Sequence, residues 1–388
     1  MLKIKYPYNT DLEKNIFLDN YYNLLKHEIV NKTNIASEIR KIDSTWDLKK
    51  LLTATFEDLV GFAEKSKTQN IDNLKKFFFK SDSKGKKEYI YSKLQRNIAD
   101  FLIKEKLALN SCHYCNIEFV NIFSDDLYFT TVDGILSEAP RKFLEKIKNI
   151  SKSTINKIIK ERSIKSITEK DLNLYFPKIH TDILRELNQM LNRIIELKFD
   201  HFTLDHFLPK SDFPFLSLSI YNLIPSCYSC NSKFKGSKEF TLSPFLNRIC
   251  PSSESFDMVN LLQFKLNFDV NDPKFDEKID RIKQVEDIEI NMKNITSQKD
   301  IDLFLSMFQL KGRYTFHKGL AYELIDKRKK YPEKQIEEIE KIFSKEGILI
   351  DKETFKKHIF GSVIFEKDST NEPFEKYKKE LARQLGII

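Results

Sequence analysis

Apolar residues recur at three- and four-residue intervals over most of the chain, the spacing that lines one side of a helix. Leu48, Leu51, Leu52, Phe56, Leu59 and Val60 form such a stripe within a mostly helical first hundred residues, and Ser44 or Thr45 before it is a candidate N-cap. Ile183, Leu184, Leu187, Met190, Leu191, Ile194 and Leu197 form another, with Thr181 or Asp182 as its cap. A charged segment after Pro332 carries Ile336, Ile339 and Ile342 and reads as helical again. The triplet Phe77, Phe78, Phe79, ahead of a lysine-rich turn around Gly85, is expected to pack in the core rather than to stack bases.

The period changes between Phe202 and Gly236. Phe202 to Phe207 has the aromatic and β-branched content of a strand that Pro209 ends, and Leu216 to Ile224 offers a second extended run. The polar piece after Cys230 has room for one short helix, stopped at Gly236. Strand, loop, strand, helix is the predicted order. With 388 residues the chain has room for two or three compact units. The expected division is a helical region over 1–104, a central unit over 105–255 with a helical insertion at about 120–200, and a helical accessory region over 256–388.

Lys and Arg total 65 against 57 Asp and Glu, a formal charge of +8 that favours a polyanionic partner. Only 11 of the basic residues are Arg, so a solvated lysine-rich surface accounts for the balance about as well. The excess is densest from Arg141 to Lys170, where Ile147, Ile150, Ile155, Ile158 and Ile159 could supply the apolar side of a helix with a basic face. The N-terminus, MLKIKYPYNTDLEKN, has no apolar run or small-residue cleavage site, and no stretch reaches the roughly 18 apolar residues of a membrane span. A cytoplasmic protein without a membrane partner is expected.

Four of five cysteines form two C-x-x-C pairs, Cys112/Cys115 and Cys227/Cys230, and Cys250 is left over as a free thiol. In a reducing compartment such pairs read as a tetrahedral zinc site. His113, inside the first pair, reads as a turn residue rather than a ligand, and His27, His180, His317 and His358 have no partner at a metal-ligand spacing. A unit of ~35 residues buries too little apolar surface to fold alone, so the free energy of zinc binding would become folding free energy.

Beside the second pair lie the groups that phosphodiester cleavage needs. His206 can take a proton from water near neutral pH, while Asp205 and Asn231 offer hard oxygens suited to Mg²⁺ or Mn²⁺. Asn222 carries an amide able to fix the loop behind His206, and Lys233 and Lys235 are candidate phosphate contacts. Asp200-His201 repeats the Asp-His pair five residues earlier, but only the second pair is followed by Pro209.

Asp205-His206-x-x-Pro209, Asn222 sixteen residues after His206, and Cys-x-x-Cys-Asn231 nine residues after Asn222 resemble the HNH, or ββα-metal, endonuclease family. The resemblance implies an α+β fold with a zinc-stapled ββα-metal core, a helical insertion and helical flanks. It implies His206 as general base, Asp205 and Asn231 as ligands of Mg²⁺ or Mn²⁺, and Asn222 as the loop-fixing residue. Asn231 stands where the family name has His. The large flanks resemble HNH effectors of bacterial anti-phage defence, among them the nuclease partner of an ATPase in Septu-type systems. DNA is the favoured substrate; an RNA-directed nuclease and a non-catalytic zinc module that binds nucleic acid are the alternatives.

Overall fold

The computed structural model describes residues 1–29, 32–81, 87–148, 150–296, 298–347 and 350–388; the turn expected around Gly85 lies outside them. Helix accounts for 53% and strand for 10%, so small sheets are set among helices rather than forming a layer. The described strands are β1 (Phe79–Ser81), β2 (Lys87–Tyr89), β3 (Asn121–Leu127), β4 (Ile195–His201), β5 (Thr203–His206), β6 (Leu223–Ser226), β7 (Leu262–Leu266) and β8 (Ile290–Asn294). They pair as four two-stranded sheets, β1 with β2, β3 with β4, β5 with β6 and β7 with β8. Two compact units result, one of residues 1–121 and 201–388 and one of residues 122–200.

In the larger unit the first apolar stripe is two helices, Leu48–Thr53 and Phe56–Ser66, each with its own cap. Asp47 accepts from the Lys50 amide and Thr55 from the Asp58 amide. The expected caps fail because the Thr45 hydroxyl and amide are both turned onto the Asp43 carboxylate. Of the aromatic triplet only Phe78 is fully buried. Phe79 pairs with Tyr89 across the β1–β2 hairpin, with ring centroids 4.5 Å apart. The region beyond residue 255 is not wholly helical: Leu262, Phe264 and Leu266 alternate inward along β7, and the helix Glu375–Gln384 covers that strand. Gln384 and Glu380 cap backbone groups of Phe264 and Leu266 there, which ties the helix Glu375–Gln384 to β7. Pro332 precedes the helix Glu333–Lys345, of whose isoleucines Ile336 is buried and Ile342 exposed.

The smaller unit has its own apolar core, in which Ile135, Phe143, Ile158, Leu172, Leu187 and Leu197 meet. The basic stretch from Arg141 is three helices, Arg141–Leu144, Lys152–Arg162 and Glu169–Tyr175, with Ile147, Ile155 and Ile158 inward and Lys148, Lys157 and Lys160 outward. The second predicted stripe begins two or three residues earlier than expected. Its helix is His180–Met190, capped at Ile179 rather than at Thr181 or Asp182. The helix stops because Leu191 turns extended, with ψ 148°; Asn192 then adopts a left-handed backbone, φ 56°, and donates to the Phe129 carbonyl. Ile194 is left exposed and Leu197 falls on β4.

Candidate active site and cysteine cluster

β5 and β6 form an antiparallel ladder that pairs Thr203 with Ser226, Leu204 with Pro225, Asp205 with Ile224 and His206 with Leu223. The second strand is shorter than the extended run expected from Leu216, because Pro214–Leu216 and Ile220–Asn222 close into 3₁₀ turns. Asn222, fully buried at the end of the second turn, explains why. Its Oδ1 accepts from the Leu208 amide at 2.7 Å, and its Nδ2 donates to the carbonyls of Leu208 at 3.0 Å and Leu216 at 3.1 Å. One side chain therefore closes both sides of the loop that follows His206.

That loop orients the histidine. His206 Nε2 lies 3.0 Å from the Ser217 carbonyl oxygen, which can only accept, so Nε2 carries the proton and Nδ1 the lone pair. The ring of Tyr91 meets the imidazole edge-on at 4.3 Å between centroids, while the Tyr91 hydroxyl donates to the Leu204 carbonyl. Burial, helped by the charge of Lys210, pushes the His206 pKa down to about 3, so the ring is neutral at pH 7. His201, by contrast, is exposed at the end of β4.

Thr203 and Asp205, two residues apart, share the face of β5 opposite His206. Across that face lies the segment after Cys230, a π-helix over Ser229–Lys235 closed by a bond from the Gly236 amide to the Asn231 carbonyl. Gly236 leaves it at φ +52°, a left-handed backbone that favours glycine. Asn231 Nδ2 donates to the Thr203 hydroxyl at 3.0 Å, and Lys235 Nζ donates to Asp205 Oδ2 at 2.7 Å and to the His206 carbonyl at 2.5 Å. Asp205 Oδ2 also accepts from the Tyr114 hydroxyl at 2.6 Å. Lys235 is buried rather than presented to a ligand, whereas Lys233 is exposed. Asp205 Oδ1 and the Asn231 carboxamide oxygen are the hard donors that these bonds leave over. Two such donors suit Mg²⁺, which usually keeps waters and takes further oxygens from substrate phosphate.

Tyr114 links this face to the cysteines, since it stands between Cys112 and Cys115. The Sγ atoms of Cys112, Cys115, Cys227 and Cys230 all lie within 4.8 Å of one another, and all four residues are buried. Zinc–thiolate bonds near 2.3 Å in a tetrahedron separate sulfurs by about 3.8 Å, so the four could hold a zinc ion with little adjustment. The Ile117 amide points to Cys115 Sγ and the Cys230 amide to Cys227 Sγ, as in knuckles that stabilise thiolate. Arg313 brings a positive charge, with Nη1 3.3 Å from Cys230 Sγ and Nη2 3.5 Å from Cys115 Sγ, and is itself held by Glu118 at 2.7 Å. Burial raises a thiol pKa, yet hydrogen bonds from the other three cysteines and the Arg313 charge hold Cys115 well below its ordinary value. His113 turns Nδ1 to the Leu2 carbonyl at 3.0 Å, away from ligand duty, and Cys250 is a free, buried thiol beside Ser252.

The predicted residues thus gather on one hairpin and helix with the cysteine cluster at the helix start. Tyr91, Tyr114, Lys210 and Arg313 belong to the same surroundings and were not singled out by the sequence. Each comes from far along the chain or carries no motif, and only the position of Tyr114 within C-x-x-C offered a hint. No family model, curated protein or solved structure matches the chain. No helix of the described residues is long and apolar enough to cross a membrane.

Proposed function

We propose that the chain is a metal-dependent endonuclease of HNH type that hydrolyses phosphodiester bonds, with DNA as the favoured substrate and zinc bound by Cys112, Cys115, Cys227 and Cys230. One observation carries the reading: His206 presents Nδ1 as a lone pair because Nε2 is committed to Ser217, next to Asp205 on the same short strand. A core histidine with no chemical task has no need of an adjoining buried carboxylate and lysine.

In the proposed reaction His206 Nδ1 takes one proton from the attacking water as its oxygen bonds to phosphorus. The bond from phosphorus to the departing ester oxygen breaks, and solvent protonates that oxygen. Mg²⁺ or Mn²⁺, held by Asp205 and Asn231 oxygens, would supply charge neutralisation at the phosphate. Asn222 keeps the loop closed and so keeps the Ser217 carbonyl behind His206. Lys235 and Tyr114 hold Asp205 Oδ2, which fixes the plane of the carboxylate. Asp205 supplies one negative charge among the cations of Lys235 and Lys210, so phosphate and divalent ion are expected to bind together rather than the ion first.

Purified protein incubated with Mg²⁺ or Mn²⁺ and plasmid, single-stranded DNA and tRNA tests the reading. Cleavage of plasmid or single-stranded DNA that stops with His206→Ala is expected. Binding of these substrates without cleavage under any metal would instead favour a zinc module that only binds nucleic acid, and cleavage confined to tRNA would move the substrate to RNA.

A further inference from the structure

Lys210 is the cation of the candidate site that the proposed chemistry does not use. Among the described residues no ion pair or hydrogen bond holds its ammonium, although the residue is half-buried. Instead Nζ sits over two aromatic rings, 5.2 Å from the centroid of Tyr89 and 5.4 Å from that of Tyr91. Ring faces attract a cation but supply no countercharge, so they seat the ammonium without neutralising it. Tyr91 is the ring that also abuts His206, which places Lys210 and the imidazole against the same side chain.

The backbone beneath Lys210 is held on both sides. Asn222 clamps the amide and carbonyl of Leu208, and the Pro209 carbonyl accepts from the amides of Asp212 and Phe213. Burial lowers the Lys210 pKa, against which the Asp205 charge works, and the Lys210 charge in turn lowers that of His206. The ammonium therefore shares a field with both residues. Lys235 is already taken up by Asp205 and the His206 carbonyl, and Lys233 points to solvent beside Phe234. A rigidly based, half-desolvated ammonium with no carboxylate partner among the described residues gains most from an anion arriving beside His206.

We propose that Lys210 binds substrate: its ammonium, seated on Tyr89 and Tyr91, contacts a non-bridging oxygen of the nucleic-acid phosphate held against His206. This rests on the nuclease reading and adds a catalytic residue to Asp205, His206 and Asn231.

The test compares wild type with Lys210→Met, which keeps the apolar stem, and Lys210→Arg, which keeps the charge. Melting temperature and zinc content confirm folding, and Lys210→Gln replaces the Met variant if that one fails to fold. Single-turnover cleavage of a labelled duplex should fall about 10²-fold in Lys210→Met and recover in part in Lys210→Arg. The second arm uses the His206→Ala background and measures binding of a fluorescein-labelled duplex by anisotropy over a salt series. Adding Lys210→Met should weaken binding and make the slope of log K against log salt shallower by about 0.9, the loss of one phosphate contact. Wild-type cleavage by Lys210→Met with an unchanged slope overturns the Lys210 assignment and leaves the nuclease reading standing. If wild type cleaves nothing but the slope still changes and Arg restores it, the nuclease reading fails while the phosphate contact stands. No duplex binding by His206→Ala also overturns the assignment.

Discussion

Lys235 Nζ donates to Asp205 Oδ2 at 2.7 Å, and both side chains are more than nine-tenths buried, at 5% and 7% exposure. A buried ion pair adds little net stability, but removing one partner strands the other charge at a cost of about 3–5 kcal/mol. Lys235→Met should therefore lower the melting temperature sharply. If Asp205 is a ligand for a divalent ion, Mg²⁺ replaces the lost countercharge, and it should raise the melting temperature of Lys235→Met more than that of wild type. Equal Mg²⁺ shifts in thermal unfolding would remove Asp205 from the metal site.

His206 and His201 separate by the same logic of surroundings. His206→Ala should lower cleavage by roughly 10²-fold or more, as for loss of a general base, with zinc retained, whereas the exposed His201→Ala should stay near wild type. The pH profile carries a further expectation. A general base works in its deprotonated form, present above its folded pKa, and that pKa is pushed down to about 3. Activity should then not decline through pH 6.5 on acidification, as it would for a solvent-exposed imidazole. A titration of kcat/KM that bends near 6.5 would contradict the buried, neutral state of His206.

Asn222→Ala should damage stability more than chemistry alone would explain. The change strands the Leu208 amide and two carbonyls in the interior, and each stranded group costs about 1–3 kcal/mol. Denaturant unfolding of Asn222→Ala and Asn222→Asp reads the effect. The Asp variant still accepts from Leu208 but turns a charged acceptor onto the Leu208 and Leu216 carbonyls, so it should not recover the loss; equal stability of the Ala variant and wild type would contradict the clamp.

Purified protein should carry about one zinc per chain by elemental analysis. Cys227→Ser or Cys230→Ser should lower zinc content and melting temperature together, since the metal contributes to folding. Arg313→Met removes the charge beside Cys115 and Cys230, so it should speed zinc loss to a chelator while leaving the four sulfurs in place. Zinc-free protein that keeps the wild-type melting temperature would rule out a structural site.

What the sequence made legible was local. Asp205, His206, Asn222, Asn231 and the second cysteine pair fall within one short motif whose spacing defines it, and the side-chain bonds of His206, Asn222 and Asn231 stay inside that stretch. Tyr114, Tyr91 and Arg313 reach the site from remote segments, and a one-dimensional pattern holds no trace of which distant tyrosine will meet a carboxylate. Lys235 looked like a phosphate contact because an exposed helix end was assumed. The π-helical turn instead brings it over the β5 face that carries Asp205. The periodicity located helices well but merged those that a cap divides. Asp47 and Thr55 break one stripe, and Leu191 cuts another short by turning extended after Met190. The β7–β8 pair escapes the sequence pattern because its alternation, Leu262, Phe264, Leu266, lasts only five residues and a helix separates the two strands.

The pairing of β3 with β4 brings the chain back to where it left for the unit of residues 122–200. Cys115 stands before that departure and Cys227 after the return, so the two halves of the cluster are joined across the excursion. Closing a loop costs free energy that grows only with the logarithm of its length. What this strand pair closes off can therefore be lengthened, shortened or exchanged for a foreign domain with little penalty to the joining of the four cysteines, which makes residues 122–200 the natural splice point for grafting a new module onto the chain.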